Sequence, residues 1–172
     1  MRGIIEEKLR PVAMYLENGI DIVRAMGITV LEMRRGYVRL MAPLKGNGNH
    51  FGSMYAGVIF SLADIAGGAL FVSTFDYTRF IPIVREVDIR FLKPVAEDLF
   101  VEASIPEETI ARIERELDEN GRAEWTLDLS LRYAGGATLD TVRGVFQGRK
   151  IPAGIALPVQ PIPEGTDEDA HG

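Results

Sequence analysis

Apolar side chains recur along this chain in two rhythms, and the rhythms divide it into elements. In three stretches every second position is apolar. Val38, Leu40 and Ala42 alternate with Tyr37, Arg39 and Met41, and Ile83, Val87, Ile89 and Phe91 face away from Glu86, Asp88 and Arg90. Trp125, Leu127, Leu129, Leu131 and Tyr133 alternate with Glu124, Thr126, Asp128, Ser130 and Arg132. Successive strand side chains point to opposite faces, so each stretch predicts a strand with one buried face. Residues 28–33 precede residues 37–42 across Arg34-Arg35-Gly36, a tight turn whose glycine accepts positive φ, which predicts a hairpin. Residues 99–103 and 138–147 read as two further strands, the last entered through Gly135-Gly136.

The second rhythm is helical. Ile110, Ile113 and Leu117 form a stripe opened by Ser104-Ile105-Pro106-Glu107, a capping-box pattern, and stopped at Asn120-Gly121. Residues 4–26 read as helical with breaks at Pro11 and at Asn18-Gly19, and Gly27 is placed as a C-cap. The longest apolar run spans Gly52 to about Phe75 and predicts one helix. Tyr55, Ile59, Leu62, Ala66 and Leu70 fall on one stripe, while Ala56, Gly57, Ala63, Gly67 and Gly68 supply small surfaces where another backbone can come close. Two strands, a long apolar helix, then four strands with an inserted helix predict an α+β fold, an antiparallel sheet of five to six strands around one helix. The expected organisation is a single domain over 1–151, with a helical segment at 1–26 and an inserted helix at 104–120. Residues 152–172, rich in Pro and acids, are expected to form a flexible tail.

The run is long enough to span a bilayer. Asp64 would then sit near mid-membrane, and no Lys or Arg cluster flanks the run, Lys45 and Arg79 being nearest; no membrane insertion is expected. At 172 residues, 47% hydrophobic and 26% charged, the chain is long enough to bury a sizeable core. A net charge of −6 argues against nucleic-acid binding, which needs a basic footprint. There is no cysteine, and the two histidines, His50 and His171, stand far apart in sequence, so no metal site and no cofactor are expected. Glu6 and Glu7 interrupt the start, which therefore lacks a basic-then-apolar signal segment, and a cytoplasmic location is the expectation.

Asp64 is the one charge in the apolar run. It is either a satisfied core or interface acid or an acid placed for chemistry, and burial logic alone does not choose. Taken alone, Asn49 reads as a loop or cap residue bonding its own backbone, and Tyr55 as a pocket wall or interface aromatic.

The segment Gly57-Val58-Ile59-Phe60-Ser61-Leu62-Ala63-Asp64, with Asn49 fifteen positions before the acid and Phe91-Leu92-Lys93-Pro94 after the next strand, resembles the hotdog-fold acyl-CoA thioesterases of the phenylacetate-pathway type. The likeness covers roughly residues 20 to 150. The family's His-Gly-Gly reads Tyr55-Ala56-Gly57 here, a replacement that keeps the backbone N–H donors. The resemblance implies hydrolysis of an acyl-CoA thioester, with Asp64 as general base or nucleophile, Asn49 positioning water, and the Ala56 N–H at the helix N-terminus receiving the developing oxyanion. It implies a dimer or tetramer in which base and oxyanion donors come from opposite subunits. Gly57 and Phe60 are expected to touch substrate, and Arg90, Lys93, Arg149 and Lys150 to meet the anionic CoA. Two alternatives stand beside it. Some hotdog dehydratases pair a His before the helix with an acid fourteen positions later, the spacing of His50 and Asp64. A non-catalytic module that binds acyl-CoA or lipid is the other.

Overall fold

The computed structural model describes residues 3–136 and 138–155; the expected tail therefore lies, from residue 156 onward, outside the described residues. After a 3-10 turn at Glu7–Leu9 come α1 (Arg10–Asn18) and α2 (Asp21–Met26), with Pro11 in the first turn of α1 and Gly27 capping α2. The rest is β1 (Thr29–Arg34), β2 (Tyr37–Ala42), α3 (Ala56–Thr74), β3 (Phe80–Ile89), β4 (Leu99–Ser104), α4 (Glu107–Asn120), β5 (Arg122–Arg132) and β6 (Thr138–Lys150). The strands form one six-stranded antiparallel sheet in the order β1-β2-β4-β5-β6-β3, wrapped around α3.

α3 is long and apolar enough to cross a membrane by length and composition. Here it is the axis of a sheet. Leu62, Ala66, Leu70 and Phe71 are buried against the inward residues Val38, Leu40, Val101, Leu129 and Leu131. The Phe146 ring of β6 rests on the bare backbone of α3 at Gly67, where an added Cβ would lie 2.1 Å from it. Phe146 continues into an aromatic stack, with Trp125 at 6.3 Å and Phe71 a further 5.6 Å on. Trp125 is thus a core residue.

The two sheet edges are treated differently. The β1 edge is covered: Glu6 N–H donates to the Met33 carbonyl (3.0 Å), Met33 N–H to the Ile4 carbonyl (3.2 Å), and Val30 N–H to Glu17 Oε1 (2.8 Å). The β3 edge carries no partner strand among the described residues, although β3 is ten residues long and Val84 is exposed. An uncovered edge of that length is a template for pairing.

Arg35, in the β1–β2 turn beside Gly36 at φ +73°, ties three elements together. Its guanidinium donates to the Thr74 carbonyl at the end of α3 (2.9 Å) and to Glu107 and Glu114 of α4 (2.8 and 3.0 Å). The turn glycine adds a fourth link, its N–H donating to Thr74 Oγ1 at 3.1 Å.

Several boundaries differ from the expectation. α3 begins at Ala56, because residues 49–53 close on themselves as a turn; Tyr55 is its N-cap and is 60% exposed rather than part of the buried stripe. Ser104 does not cap α4: it pairs with Tyr37 in the sheet, and Pro106 holds the N-cap position with no side-chain hydrogen bond. β3 bulges between Val84 and Glu86 and stops at Ile89, after which residues 90–95 swing over the start of α3. Met54 N–H anchors that swing on the Val95 carbonyl at 2.7 Å.

Neighbouring glycines of α3 should respond oppositely to the same change. Gly67→Ala should lower stability by about 1–3 kcal/mol through overpacking against Phe146. Gly68→Ala, where an added Cβ meets nothing within 4 Å, should raise it by up to about 1 kcal/mol. Paired urea titrations read both; equal signs would refute the assignment.

Candidate active site

The start of α3 is held by a loop that is closed from inside. Asn47, buried at 7% exposure, donates from Nδ2 to the Met26 and Pro43 carbonyls (2.6 and 2.8 Å), and its own carbonyl accepts from Tyr55 N–H at 2.8 Å. Asn49 does the next stage. Its Oδ1 accepts from the N–H groups of Phe51 (2.9 Å) and Ser53 (3.3 Å), and its Nδ2 donates to Ser53 Oγ at 2.9 Å. The Asn49 amide is therefore engaged in shaping the loop. Asn47 was not singled out in the sequence, since nothing in its neighbourhood distinguishes a buried loop amide from an exposed one.

Below this loop Tyr55 lends no side-chain cap, and Val58 N–H returns to the Tyr55 carbonyl at 2.9 Å. The N–H groups of Ala56 and Gly57 find no acceptor among the described residues, as expected for the first turn of a helix. The Tyr55 ring folds back over Gly57, where an added Cβ would lie 2.6 Å from it. Facing the helix start, Asn49, Ser53, Met54, Ala56 and Ile59 line an open cleft of about 280 Å³ with residues 91–95. Tyr133 steadies that far wall, its hydroxyl donating to the Pro94 carbonyl and accepting from Ala96 N–H, both at 3.3 Å.

Asp64 lies two turns further along and does not line that cleft. It is half-buried on the one stripe of α3 the sheet leaves uncovered, with Gly57, Phe60, Ser61, Gly68 and Val72. It forms no hydrogen bond or ion pair among the described residues, and burial alone pushes its carboxyl above the ordinary value. The rise between Ala56 and Asp64 is about 12 Å at 1.5 Å per residue. No single carbonyl group can touch both within one chain.

The other expected residues divide into two groups. Lys93 lines the cleft at the helix start, and Arg90 is exposed just beyond β3. Arg149 and Lys150 pair with Ile81 and Phe80 at the opposite end of β3, roughly 30 Å away at about 3.3 Å per residue. Arg149 donates from Nε to Gln147 Oε1. One chain thus does not gather the four cations. His50 is exposed, its ring against Phe51 (3.9 Å between centroids), and forms no hydrogen bond among the described residues.

The sequence model of the family YiiD_C, described as "Putative thioesterase (yiiD_Cterm)", matches residues 9–150. The chain belongs to this family. The structure is similar to that of a Pseudomonas aeruginosa protein described as of unknown function and a probable thioesterase. Identity is 39%, with 87% of this chain and 100% of that chain covered and a TM-score of 0.78. A Chlorobaculum tepidum protein of unknown function shares the fold at 18% identity, with 81% and 93% covered and a TM-score of 0.72. A Haemophilus influenzae thioesterase shares it at 15% identity, with 81% and 88% covered and a TM-score of 0.64. No curated protein is significantly similar. The hotdog fold and the thioesterase class are those expected from the segment around Asp64, and the family that matches within that class is YiiD_C.

The unpartnered carboxylate makes a stability prediction. Because burial raises the folded-state pKa of Asp64, the folded chain holds its proton more tightly than the unfolded one. Stability should therefore fall as pH rises from the ordinary carboxylate value through the folded one, and stay reduced above it. Asp64→Asn should be more stable than wild type at neutral pH, with the gap closing in acid. Thermal unfolding across a pH series checks this; a gap independent of pH would contradict it.

Proposed function

We propose that this YiiD_C domain hydrolyses acyl-CoA thioesters at a site shared between two copies of the chain. The observation that carries the reading is the pairing of a desolvated carboxylate without internal partner and an uncapped helix N-terminus, about 12 Å apart on one helix. Two copies related by a two-fold axis bring Asp64 of one to the helix start of the other. The bare β3 edge favours that assembly, because antiparallel pairing of β3 with its copy extends the sheet and removes the edge. It also lays the Phe80 end of one β3 beside the Ile89 end of the other. Arg149 and Lys150 of one subunit then approach Arg90 and Lys93 of its partner, a cationic border suited to the phosphates of CoA in a protein of net charge −6.

In this mechanism Asp64 takes a proton from water as the oxygen attacks the thioester carbon, or attacks that carbon itself. The N–H groups of Ala56 and Gly57 receive the oxyanion, aided by the helix dipole. Collapse breaks the C–S bond and the thiolate leaves, taking up a proton; where Asp64 has attacked directly, water then cleaves the acyl-aspartyl anhydride, releasing the carboxylic acid and restoring the carboxylate. Tyr55 and Phe60 border the carbonyl site. Asn49 acts by fixing the loop that presents the helix start.

Asp64→Asn should reduce turnover of acyl-CoA by on the order of 10²-fold or more while substrate binding is kept, and His50→Ala should change little. Dehydration of 3-hydroxyacyl thioesters lost in both variants would identify a dehydratase instead, and binding without chemistry a sensor module. Because the base works ionised and burial raises its pKa, activity should rise with pH through a limb above the usual carboxylate range. Light scattering should report at least twice the 19.0 kDa chain mass. A monomer that turns over at full rate would refute the shared site.

A further inference from the structure

The chemistry above leaves the acyl group unassigned, and a second cavity bears on it. Between α1, α3 and the beginning of β3 lies a chamber of about 240 Å³. Val12, Leu16 and Ile20 close it on one side, and Ile65 and Val72 on the other. Among the described residues no charged side chain lines it, and only Tyr15 and Tyr77 bring a polar side-chain atom to its wall. Such walls reject the sugar and phosphates of a CoA and accept hydrocarbon.

We propose that this chamber holds the acyl chain of the substrate, and that the chain is of medium length. The inference rests on the thioesterase reading and adds the substrate class to it. Three observations support it. Gly68 lines the chamber one turn beyond Asp64, a rise of about 6 Å. A thioester whose carbonyl lies at the carboxylate therefore has its alkyl tail at the chamber. Gly68 itself is otherwise unexplained. A mid-helix glycine is destabilising relative to alanine, and an added Cβ would meet nothing within 4 Å. Its neighbour Gly67 has the Phe146 ring against it; Gly68 has only the space of the chamber. Finally, the volume sets a length. A dry cavity of about 150 Å³ holds a benzene-sized ligand, so about 240 Å³ suits a tail of about eight carbons.

The outer wall comes from the N-terminal helical segment, not from the sheet, so α1 is the part that sets chain length. Tyr15 is fixed there by Gly19, where a Cβ would lie 2.3 Å from its ring.

The test is a chain-length profile from acetyl-CoA to hexadecanoyl-CoA on the full-length protein. Wild type should peak near octanoyl-CoA. Gly68→Leu projects a side chain into the chamber without a clash in the chain, and should lower the ratio of kcat/KM for octanoyl-CoA to that for butanoyl-CoA by about tenfold or more. Ile20→Trp, on the facing wall and only half-buried, should move the ratio the same way. Calorimetric binding of octanoyl-CoA to the Asp64→Asn protein and to Asp64→Asn/Gly68→Leu supplies an arm independent of turnover. Hydrolysis with an unchanged ratio in both wall variants overturns the chamber and leaves the thioesterase intact. Binding blocked by Gly68→Leu in a protein that hydrolyses nothing keeps the chamber and removes the hydrolase. If Gly68→Leu loses every chain length equally together with the dimer mass, the glycine serves subunit contact and the proposal fails.

Discussion

The contact between the Phe146 ring and the bare backbone at Gly67 sets the spacing on which the rest of the molecule depends. The inward positions of β6 read Gly144, Phe146 and Gly148. A Cβ at Gly144 would lie 2.4 Å from the Phe146 ring, and one at Gly148 would lie 2.9 Å from both Leu117 and Phe71. One large ring between two absent side chains fills the space between β6 and α3 and leaves room for Leu117 of α4 beside it. Close packing of this kind tolerates little change in volume. It also explains why a helix so apolar needs no membrane: the sheet curls far enough to bury it on all but one stripe.

That stripe is where packing and chemistry meet. Asp64 cannot be neutralised by a neighbour, because the residues around it are glycine, serine and apolar side chains. An unpaired carboxylate withdrawn from water is costly, and one chain offers no group to offset it. The same chain has an uncovered strand edge and a helix start with unused donors. The proposed pairing of two copies across β3 would relieve all three deficits at once.

Alternation made the sheet legible. Strands such as residues 122–132 show it without a break, because one face meets α3 and the other meets water. The helix start was less legible. Asn49-His50-Phe51-Gly52-Ser53 has the residues of a helix N-terminus, yet its side chains bond within the loop and delay α3 to Ala56. Ser104 failed as a cap for a related reason: the β2–β4 ladder claims its backbone, and a ladder shared with a neighbouring strand outweighs a local capping preference. The placement of the four cations was not legible either, because sequence does not show that Arg149 and Lys150 lie a strand length from Arg90 and Lys93 along β3. Asn47 and Arg35, which organise the loop and the β1–β2 turn, gave no signal, since their partners are distant in sequence.

Departures from local rules sort the residues further. Gly67 breaks helix propensity and is compensated by Phe146; Asn47 buries an amide and is compensated by two carbonyls; Arg35 immobilises a long side chain and gains three acceptors. Each compensation is visible inside the chain. Asp64 and Gly68 break rules with no such return: a carboxylate without a donor, and a helical glycine facing space. They stand one turn apart on the single uncovered stripe. Local conflicts that the fold does not resolve concentrate where a sequence has been shaped by something other than folding. Two such conflicts on neighbouring turns, one a buried carboxylate and one a bare helix position beside an apolar chamber, are what the proposed site asks for: a base for the carbon to be attacked and a space for the tail.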